Sequence, residues 1–391
     1  MKIRRRKVLI AVSVASMIDQ FNLPNIRLLL EMGFEVHVAC NFKEGNTCDR
    51  DQLNDLLKLL LRMQVQCHQW DCSRNVYSIK KCIRAYKQIN RLIRKQQFAW
   101  IHCQSPVGGA LSRIAAHRSG LPVIYTVHGF HFYKGAPLKN WLLYYPAEKL
   151  LARWTNVIIT VNREDYRFAK KNLKAGKVCT ISGVGIDVKK FLDRRKDPMK
   201  QHQIFCRKYQ IPQNAVILLS VGELSKRKNH LAVLTAIAKL RNKNIYYLIC
   251  GQGKLKKRIE ERAQSLGILQ RVRLVGFQNN TIPFYQNADL FVFPSIQEGL
   301  PVALMEAMAA GLACVVSDVR GNRELIDCEG GIRYKTALED ALAALLENES
   351  LRKRCGRYNQ QKIRNYDLET VNSSMKRIYT IFDQKYCPKQ G

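Results

Sequence analysis

The sequence lacks several patterns that identify whole classes of protein. No apolar run reaches the roughly 18 residues of a membrane-spanning helix, and none of the 13 cysteines forms a C-x-x-C pair. An odd number of scattered cysteines without zinc-site spacing favours free thiols in a reducing compartment over a disulfide framework. No G-x-G-x-x-G pattern accompanies the first predicted strand, so a dinucleotide cofactor is not implied.

Carboxylates are also scarce. The chain has 31 Asp and Glu against 65 Lys and Arg, which gives a net charge of +34. Between Cys72 and Ala147 there are twelve basic residues and no carboxylate. A field of this sign attracts anionic membranes, polyphosphates or nucleic acids. No nucleic-acid module is recognisable and the basic residues are not interleaved with stacking aromatics, so we expect no nucleic-acid partner.

The overall composition is typical of a folded globular protein. With 391 residues, 47% apolar and 25% charged, the chain is long enough for two domains with separate cores. The basic start resembles a signal peptide, but we interpret Val8–Val14 as the first core strand because helix and strand signals follow at once. That strand, a helix at 24–32 and a strand at 34–40 form a βαβ unit of Rossmann type.

One segment predicts a strongly basic amphipathic helix. Ser78–Gln97 places its apolar residues, which include Ile79 and Ile83, on one stripe and surrounds them with seven Lys and Arg. We expect the apolar stripe to pack on the sheet. The basic face is either solvated or rests against anionic lipid headgroups, and these two interpretations are compatible.

The most informative stretch runs from Phe291 to Gly311 and predicts a buried strand, a turn and a helix. Glu298 lies in the turn, at the carboxyl end of the strand, where open α/β sheets bind ligands. Glu306 lies about one turn into an otherwise apolar helix, and a carboxylate there needs a partner because burying it alone is costly. The free amides of the helix start add a site for phosphate.

This stretch, E-G-L-P-x-x-x-x-E-A-M-A-x-G, resembles the EX7E motif of the retaining glycosyltransferases of family 4. The resemblance implies that Glu298 holds hydroxyls of the donor sugar and acts in catalysis. It implies further that the backbone of Gly299, Leu300 and Pro301 meets the donor diphosphate, and that Glu306 holds the ribose.

The same resemblance implies a fold and a division of labour. The fold is GT-B, an α/β architecture of two Rossmann-like domains facing an interdomain cleft. The acceptor-binding domain is expected at residues 1–195 and the nucleotide-sugar domain at residues 204–366. A polar linker at 193–203 separates them, and residues 367–391 form a helix that crosses back to the first domain.

A second candidate group follows the strand at 215–222. The strand ends at Gly222, and the loop after it contains Lys226, Arg227 and Lys228. Backbone amides and cations at this place can hold a diphosphate without a metal ion, so no metal and no cofactor are expected. Lys228 matches the lysine of the family loop. Glu223 stands where the family commonly has arginine, which puts that contact in doubt.

Two further sites complete the prediction. His128 follows the strand at 122–127, as catalytic residues do in such folds, and family 4 enzymes have a similar histidine near the donor sugar. His131 is a weaker candidate. Gly276 and Phe277 lie in a segment whose backbone meets the nucleotide base in relatives.

The predicted activity is therefore metal-independent transfer of a hexosyl or N-acetylhexosaminyl group from a UDP-sugar, with retention of configuration. The resemblance and the basic first half suggest an undecaprenyl-diphosphate-linked saccharide as acceptor, in capsule or exopolysaccharide assembly. The expected location is the cytoplasm, peripheral on the inner face of an anionic membrane. Two alternatives stay open: a UDP-N-acetylhexosamine epimerase of GT-B fold, and a basic nucleic-acid-binding protein.

Overall fold

The computed structural model describes residues 5–44, 49–192, 196–240 and 244–387. The chain divides into two compact units, one made of Met1–Val184 with Glu369–Gly391 and the other of Gly185–Leu368. Each unit is built around its own parallel sheet with helices packed against it. This confirms the predicted α/β class.

The first unit contains a sheet of seven described strands in the order β3-β2-β1-β4-β5-β6-β7, and every pair is parallel. The strands are β1 (Lys7–Val14), β2 (Glu35–Asn41), β3 (Gln66–Gln69), β4 (Trp100–Gln104), β5 (Val123–Val127), β6 (Val157–Thr160) and β7 (Lys177–Thr180). The central strands β4 and β5 are buried along their whole length. Parallel strands that are covered on both faces are predominantly apolar, which explains the nearly continuous apolar runs of the sequence.

The helices of this unit connect the strands, and one comes from the end of the chain. They are α1 (Ala15–Phe21), α2 (Leu23–Glu31), α3 (Arg50–Arg62), α4 (Ile79–Gln96), α5 (Pro106–Arg118), α6 (Leu138–Ala152), α7 (Arg163–Asn172) and α17 (Leu368–Tyr386). Helix α17 is held to the sheet by Tyr379, whose hydroxyl lies 2.8 Å from Nδ1 of the buried His102. The ring of Tyr379 also packs 5.3 Å from that of Trp100.

The second unit contains six described strands in the order β10-β9-β8-β11-β12-β13, again all parallel. The strands are β8 (Val216–Val221), β9 (Ile245–Cys250), β10 (Val272–Gly276), β11 (Leu290–Phe293), β12 (Ala313–Ser317) and β13 (Gly331–Tyr334). The α-helices are α8 (Val188–Phe191), α9 (Pro198–Tyr209), α10 (His230–Lys239), α11 (Lys256–Ser265), α12 (Ile282–Tyr285), α13 (Val302–Ala309), α14 (Arg320–Leu325), α15 (Leu338–Leu346) and α16 (Glu349–Lys362). Two short 3-10 helices lie at Leu269–Arg271 and Ile363–Tyr366.

The division between the units falls earlier in the chain than the linker predicted at 193–203. Ile186 pairs with Asp367, and Phe191 packs edge-on against Tyr285 at 5.8 Å, so the segment after Val184 belongs to the second unit. Residues 193–195 of the predicted linker lie outside the described residues, and Pro198–Tyr209 forms helix α9. A run of polar residues therefore does not by itself mark the point where the two cores separate.

The basic helix α4 lies close to its predicted bounds, but its apolar stripe is only partly buried. Ala85, Ile89 and Ile93 lie in the core, whereas Ile79 is 68% exposed and Ile83 is 52% exposed. The expectation that both isoleucines pack on the sheet is wrong. Among the described residues, no helix is both long enough and apolar enough to cross a bilayer.

Candidate functional site

The candidate site of the second unit lies where two sequence-distant strands become neighbours. Strand β8 pairs with β11 in parallel, with Leu218 opposite Leu290 and Leu219 opposite Phe291. From β8 the chain continues to β9 on one side of the pair, and from β11 it continues to β12 on the other side. The pair is therefore the topological switch point of the sheet. Because parallel strands end at the same edge, the loops after β8 and β11 are brought together.

Glu298 is the centre of that junction. Its side chain is buried, and its Oε1 accepts hydrogen bonds of 2.7 Å from Nζ of Lys228 and 2.7 Å from a terminal nitrogen of Arg227. Arg227 also donates to the carbonyl oxygen of Gln297, and its own carbonyl accepts from the amide of Ile296. A carboxylate and two cations separated by about 70 residues thus form one cluster, with side-chain and backbone contacts joining the loops.

The two cations differ in their surroundings. The side chain of Lys228 is 11% exposed and that of Arg227 is 42% exposed. Nζ of Lys228 lies 4.4 Å from the ring centre of Phe293, and a Cβ on Gly222 would lie 3.2 Å from Cε of Lys228. Because Gly222 has no side chain, the aliphatic part of Lys228 can lie against it. Burial lowers the pKa of Lys228, and the neighbouring Glu298 carboxylate opposes that shift.

The turn after Glu298 is held by helix α14. Nε of the buried Arg320 donates to the carbonyl oxygen of Glu298 at 3.2 Å. A Cβ on Gly321 would lie 2.5 Å from the carbonyl oxygen of Gly299, so only glycine permits this approach. The turn passes through the half-buried Leu300 to the buried Pro301, which caps helix α13. The first backbone amides of α13 have no hydrogen-bond partner within the helix, and they face the end of the helix at which this turn lies.

Glu306 lies one turn further along α13. Its Oε2 is 2.9 Å from the hydroxyl oxygen of Tyr285, and that hydroxyl is also 3.0 Å from the carbonyl oxygen of Ala303. Burial raises the pKa of Glu306 to about 7, and the contact with Tyr285 partly offsets this shift. The partner that this carboxylate needs is therefore a tyrosine. Its other oxygen, Oε1, makes no hydrogen bond to the part of the chain that the structure describes.

Other predicted donor-site residues lie along the same edge of the sheet. Gly276 ends β10 with φ of +75°, and its carbonyl accepts from the amide of Gly251 at the end of β9. Phe277 follows and is 45% exposed. Lys226 is exposed and borders a shallow pocket with Asn229 and His230 rather than joining the cluster around Glu298. Of the three loop cations, the structure thus brings only Arg227 and Lys228 to the carboxylate.

His128 belongs to the first unit, where it follows β5. It is half-buried, its Nε2 lies 2.7 Å from Oε1 of Gln104, and its ring packs 5.2 Å from that of Phe21. Burial lowers its pKa to about 4, so the imidazole is neutral at pH 7. His131 is half-buried and packs against the ring of Tyr144 at 4.6 Å.

Sequence analysis did not identify three residues that support these groups. They are Arg320, Tyr285 and Gln104, which contact Glu298, Glu306 and His128 respectively. Each lies at least 20 positions from the group that it contacts, so no local spacing indicates the pairing. Of the three, Arg320 has one local sign in the sequence, because it stands beside Gly321 shortly after the strand β12.

Two family models match the chain, one in each half. The model described as glycosyl transferases group 1 matches residues 202–362, and the model described as glycosyl transferase 4-like matches residues 7–162. The first includes the cluster around Glu298 and the second includes His128.

Known proteins agree with these matches. EpsD of Bacillus subtilis (strain 168), which is named as a glycosyltransferase, is 34% identical over 88% of this chain and 87% of its own length. An Escherichia coli protein named UDP-Gal:alpha-D-GlcNAc-diphosphoundecaprenol alpha-1,3-galactosyltransferase is 28% identical over 80% of this chain and 79% of its own. The structure of Anabaena HepE in complex with UDP and glucose superimposes with a TM-score of 0.75 at 16% identity, covering 96% of this chain and 100% of that one. The predicted GT-B fold is confirmed, and these relatives support neither the epimerase nor the nucleic-acid-binding alternative.

Proposed function

Because this chain belongs to the group 1 glycosyltransferases, we propose that it transfers a hexosyl or N-acetylhexosaminyl group from a UDP-sugar to a lipid-diphosphate-linked saccharide, with retention of configuration. The second unit takes the donor and the first unit takes the acceptor. The observation that carries the proposal is the cluster of Glu298, Arg227 and Lys228 at the carboxyl edge of the sheet, beside the start of helix α13.

The donor site works by electrostatic stabilisation. Negative charge develops on the diphosphate as the sugar leaves, and preorganised cations and amides stabilise that charge most strongly where water is excluded. Lys228 is the less exposed cation of the cluster, and the amides that follow Gly299 lie at the start of α13. Glu298 then holds sugar hydroxyls, while Glu306 holds the ribose with the oxygen that does not contact Tyr285.

The same arrangement supports metal independence. Two cations and the free amides of a helix start supply the positive charge that a divalent ion otherwise provides to a diphosphate. We expect chelation of divalent ions with EDTA to leave the transfer rate unchanged. A loss of activity that Mg²⁺ or Mn²⁺ restores would contradict this part of the proposal.

For the acceptor, we propose an undecaprenyl-diphosphate-linked saccharide in capsule or exopolysaccharide assembly. The support is the printed name of the E. coli relative, which specifies such an acceptor and UDP-galactose as donor. The net charge of +34 fits a substrate carried by an anionic membrane.

Helix α4 is the surface that we assign to the membrane. Its exposed cations repeat at three- and four-residue intervals and therefore lie on one side of the helix: Lys80, Arg84, Lys87, Arg91 and Lys95. Ile79, Ile83 and the 74% exposed Tyr77 add apolar surface near the start of the helix. Cations beside exposed apolar side chains are the pattern of helices that rest in a lipid interface. We propose that this surface rests on the cytoplasmic face of the membrane.

The enzymatic proposal is tested with purified protein and a panel of UDP-sugars. We expect one UDP-sugar to be consumed, with transfer to a synthetic undecaprenyl-diphosphate saccharide. Lys228→Ala and Glu306→Ala should each reduce donor consumption by at least roughly ten-fold. Wild-type rates in both variants would contradict the assignment, and formation of an epimer from donor alone would favour the epimerase.

The membrane proposal is tested by sedimentation with liposomes of anionic lipid at low salt. We expect binding that weakens as salt is raised and as Lys80, Arg84 and Lys87 are replaced by glutamine. Lys257, an exposed lysine on α11 of the second unit, serves as the matched control position. Equal binding by the triple variant, or none by the wild type, would contradict the assignment of this surface.

A further inference from the structure

A cavity of about 790 Å³ lies between helix α4 and strand β3 in the first unit, and we name it the α4 groove. One wall consists of Cys67, His68 and Gln69 of β3, which is the last strand of the described sheet on that side. The other wall is one side of α4, and every lining residue belongs to the first unit. The volume lies within the range of about 300–1,000 Å³ that is typical of small-molecule sites.

The helix wall of the α4 groove is strongly basic. Five exposed cations line it at three- and four-residue intervals: Lys80, Arg84, Lys87, Arg91 and Lys95. Arg84 contacts Asp71 at 3.1 Å, whereas the other four make no ion pair or hydrogen bond to the described part of the chain. No Asp or Glu of that part lines the groove. A cleft with charges of one sign concentrates ligands of the opposite sign, so the ligand that fits is an anion.

The same groove also exposes apolar surface. Ile83 is 52% exposed and Leu92 is half-buried, and both line the groove beside the cations. Covering apolar side chains is favourable, so the best ligand joins an anionic group to an apolar part. An acidic peptide or a free phosphate satisfies only the charge. A phospholipid with an anionic headgroup satisfies both requirements.

We propose that the α4 groove binds one molecule of anionic phospholipid, with its phosphate at the cations of α4 and part of an acyl chain on Ile83 and Leu92. This goes beyond the adsorption of α4 on a charged surface, because adsorption needs neither a cavity nor a fixed stoichiometry. The inference deepens the proposed function and rests on it, since the membrane that α4 contacts supplies the lipid.

Calorimetry with dihexanoylphosphatidylglycerol below its critical micelle concentration tests the stoichiometry and the charge. We expect one saturable site, and at least roughly ten-fold weaker binding of dihexanoylphosphatidylcholine, whose headgroup has no net charge. Replacing Arg91 and Lys95 together by glutamine should weaken binding of the anionic lipid by roughly ten-fold. The control replaces Lys256 and Lys257, two exposed lysines on α11 of the second unit, and should bind as the wild type does. Equal binding of the two lipids would overturn the proposal.

The variant Cys67→Trp tests the cavity apart from its charge. Cys67 is exposed on the β3 wall, so an indole there fills part of the groove while every cation of α4 stays. Binding of dihexanoylphosphatidylglycerol should weaken by at least roughly ten-fold, whereas sedimentation with anionic liposomes should persist. Cys328→Trp, at an exposed cysteine of the second unit, is the control. Unchanged lipid binding by Cys67→Trp would show that the lipid does not occupy the groove.

The same two cysteines report occupancy in the wild-type protein. With dihexanoylphosphatidylglycerol at about ten times its Kd, alkylation of Cys67 by N-ethylmaleimide should slow roughly ten-fold, and alkylation of Cys328 should not change. Equal protection of Cys67 by a hexaglutamate peptide or by inorganic pyrophosphate would overturn the lipid assignment in favour of a site for hydrophilic polyanions.

Failure of this inference is distinguishable from failure of the proposed membrane surface. A wild type that sediments with anionic liposomes but does not bind dihexanoylphosphatidylglycerol would overturn the groove and leave the membrane surface intact. Saturable binding of the short-chain lipid without sedimentation would support the groove and refute the membrane surface.

Discussion

Both units carry their candidate groups after the carboxyl ends of parallel strands, but the groups differ in charge. In the second unit a carboxylate is held by two cations, and in the first unit His128 contacts the neutral amide of Gln104. A diphosphate demands charge that stays in place as the leaving group forms, whereas a sugar demands oriented donors and acceptors. The contrast teaches that the same type of parallel sheet can present either charged or neutral hydrogen-bonded groups at the ends of its strands.

Buried polar groups need partners, and the two regions supply them in different ways. Buried charge is tolerated only when it is paired and hydrogen-bonded, which the cluster around Glu298 achieves. The amides of Gln104 and Asn22, which lie next to His128 along a row of hydrogen bonds, are uncharged. We therefore expect changes of charge to act most strongly in the second unit.

Removal of Lys228 should have the largest effect. Lys228→Ala leaves Glu298 without the less exposed of its two partners and removes the cation that we assign to the diphosphate. We expect kcat to fall by roughly 10²- to 10³-fold, as for loss of one preorganised group in a water-excluded site. Steady-state kinetics with the preferred UDP-sugar measure this. Lys239→Ala, which breaks a surface ion pair with Glu339 in the same unit, is the control and should retain wild-type activity.

Protonation of Glu306 should have the next largest effect. Burial raises its pKa to about 7, so the carboxylate that accepts from ribose hydroxyls is lost as pH falls through 7. Affinity for UDP should then fall up to about ten-fold per pH unit below pH 7. His128, with a pKa of about 4, does not titrate in this range. Calorimetry between pH 8 and 6 tests the sign, and an equally steep profile in Glu306→Gln would show that another group is responsible.

Arg227 should matter less than Lys228 although both contact the same oxygen of Glu298. Its side chain is 42% exposed, so solvent screens much of its charge. We expect Arg227→Ala to reduce kcat/KM by roughly three- to ten-fold. If this loss equalled that of Lys228→Ala, burial would not be the reason for the difference between the two cations.

Tyr285→Phe should have the smallest effect of these changes. The hydroxyl lowers the pKa of Glu306 against the effect of burial, so its removal should raise that pKa. We expect the midpoint of the pH dependence of UDP binding to move upward by less than about one unit. Affinity at pH 8 should change only slightly. A midpoint that stays unchanged would mean that the hydroxyl bonds mainly the carbonyl of Ala303.

Sequence reasoning predicted the parts of both regions that depend on local pattern. The turn after β11, the apolar helix α13 and the loop after β8 follow from the order of apolar residues, glycines and prolines. It could not predict Arg320, Tyr285 or Gln104, because their contacts cross between elements that are far apart in the chain. It also wrongly placed Ile79 and Ile83 in the core, since periodicity gives the face of a helix but not how far that face is covered.

The sequence by itself determined the parallel α/β class, the spacing of the two glutamates and the excess of basic residues, because strand and helix signals depend on neighbouring side chains. Only the tertiary structure decided which cations reach Glu298, which phenol contacts Glu306 and which amide contacts His128. The physical reason is that strand order sets which loops meet. That order depends on how whole elements pack, and no short stretch of sequence contains this information.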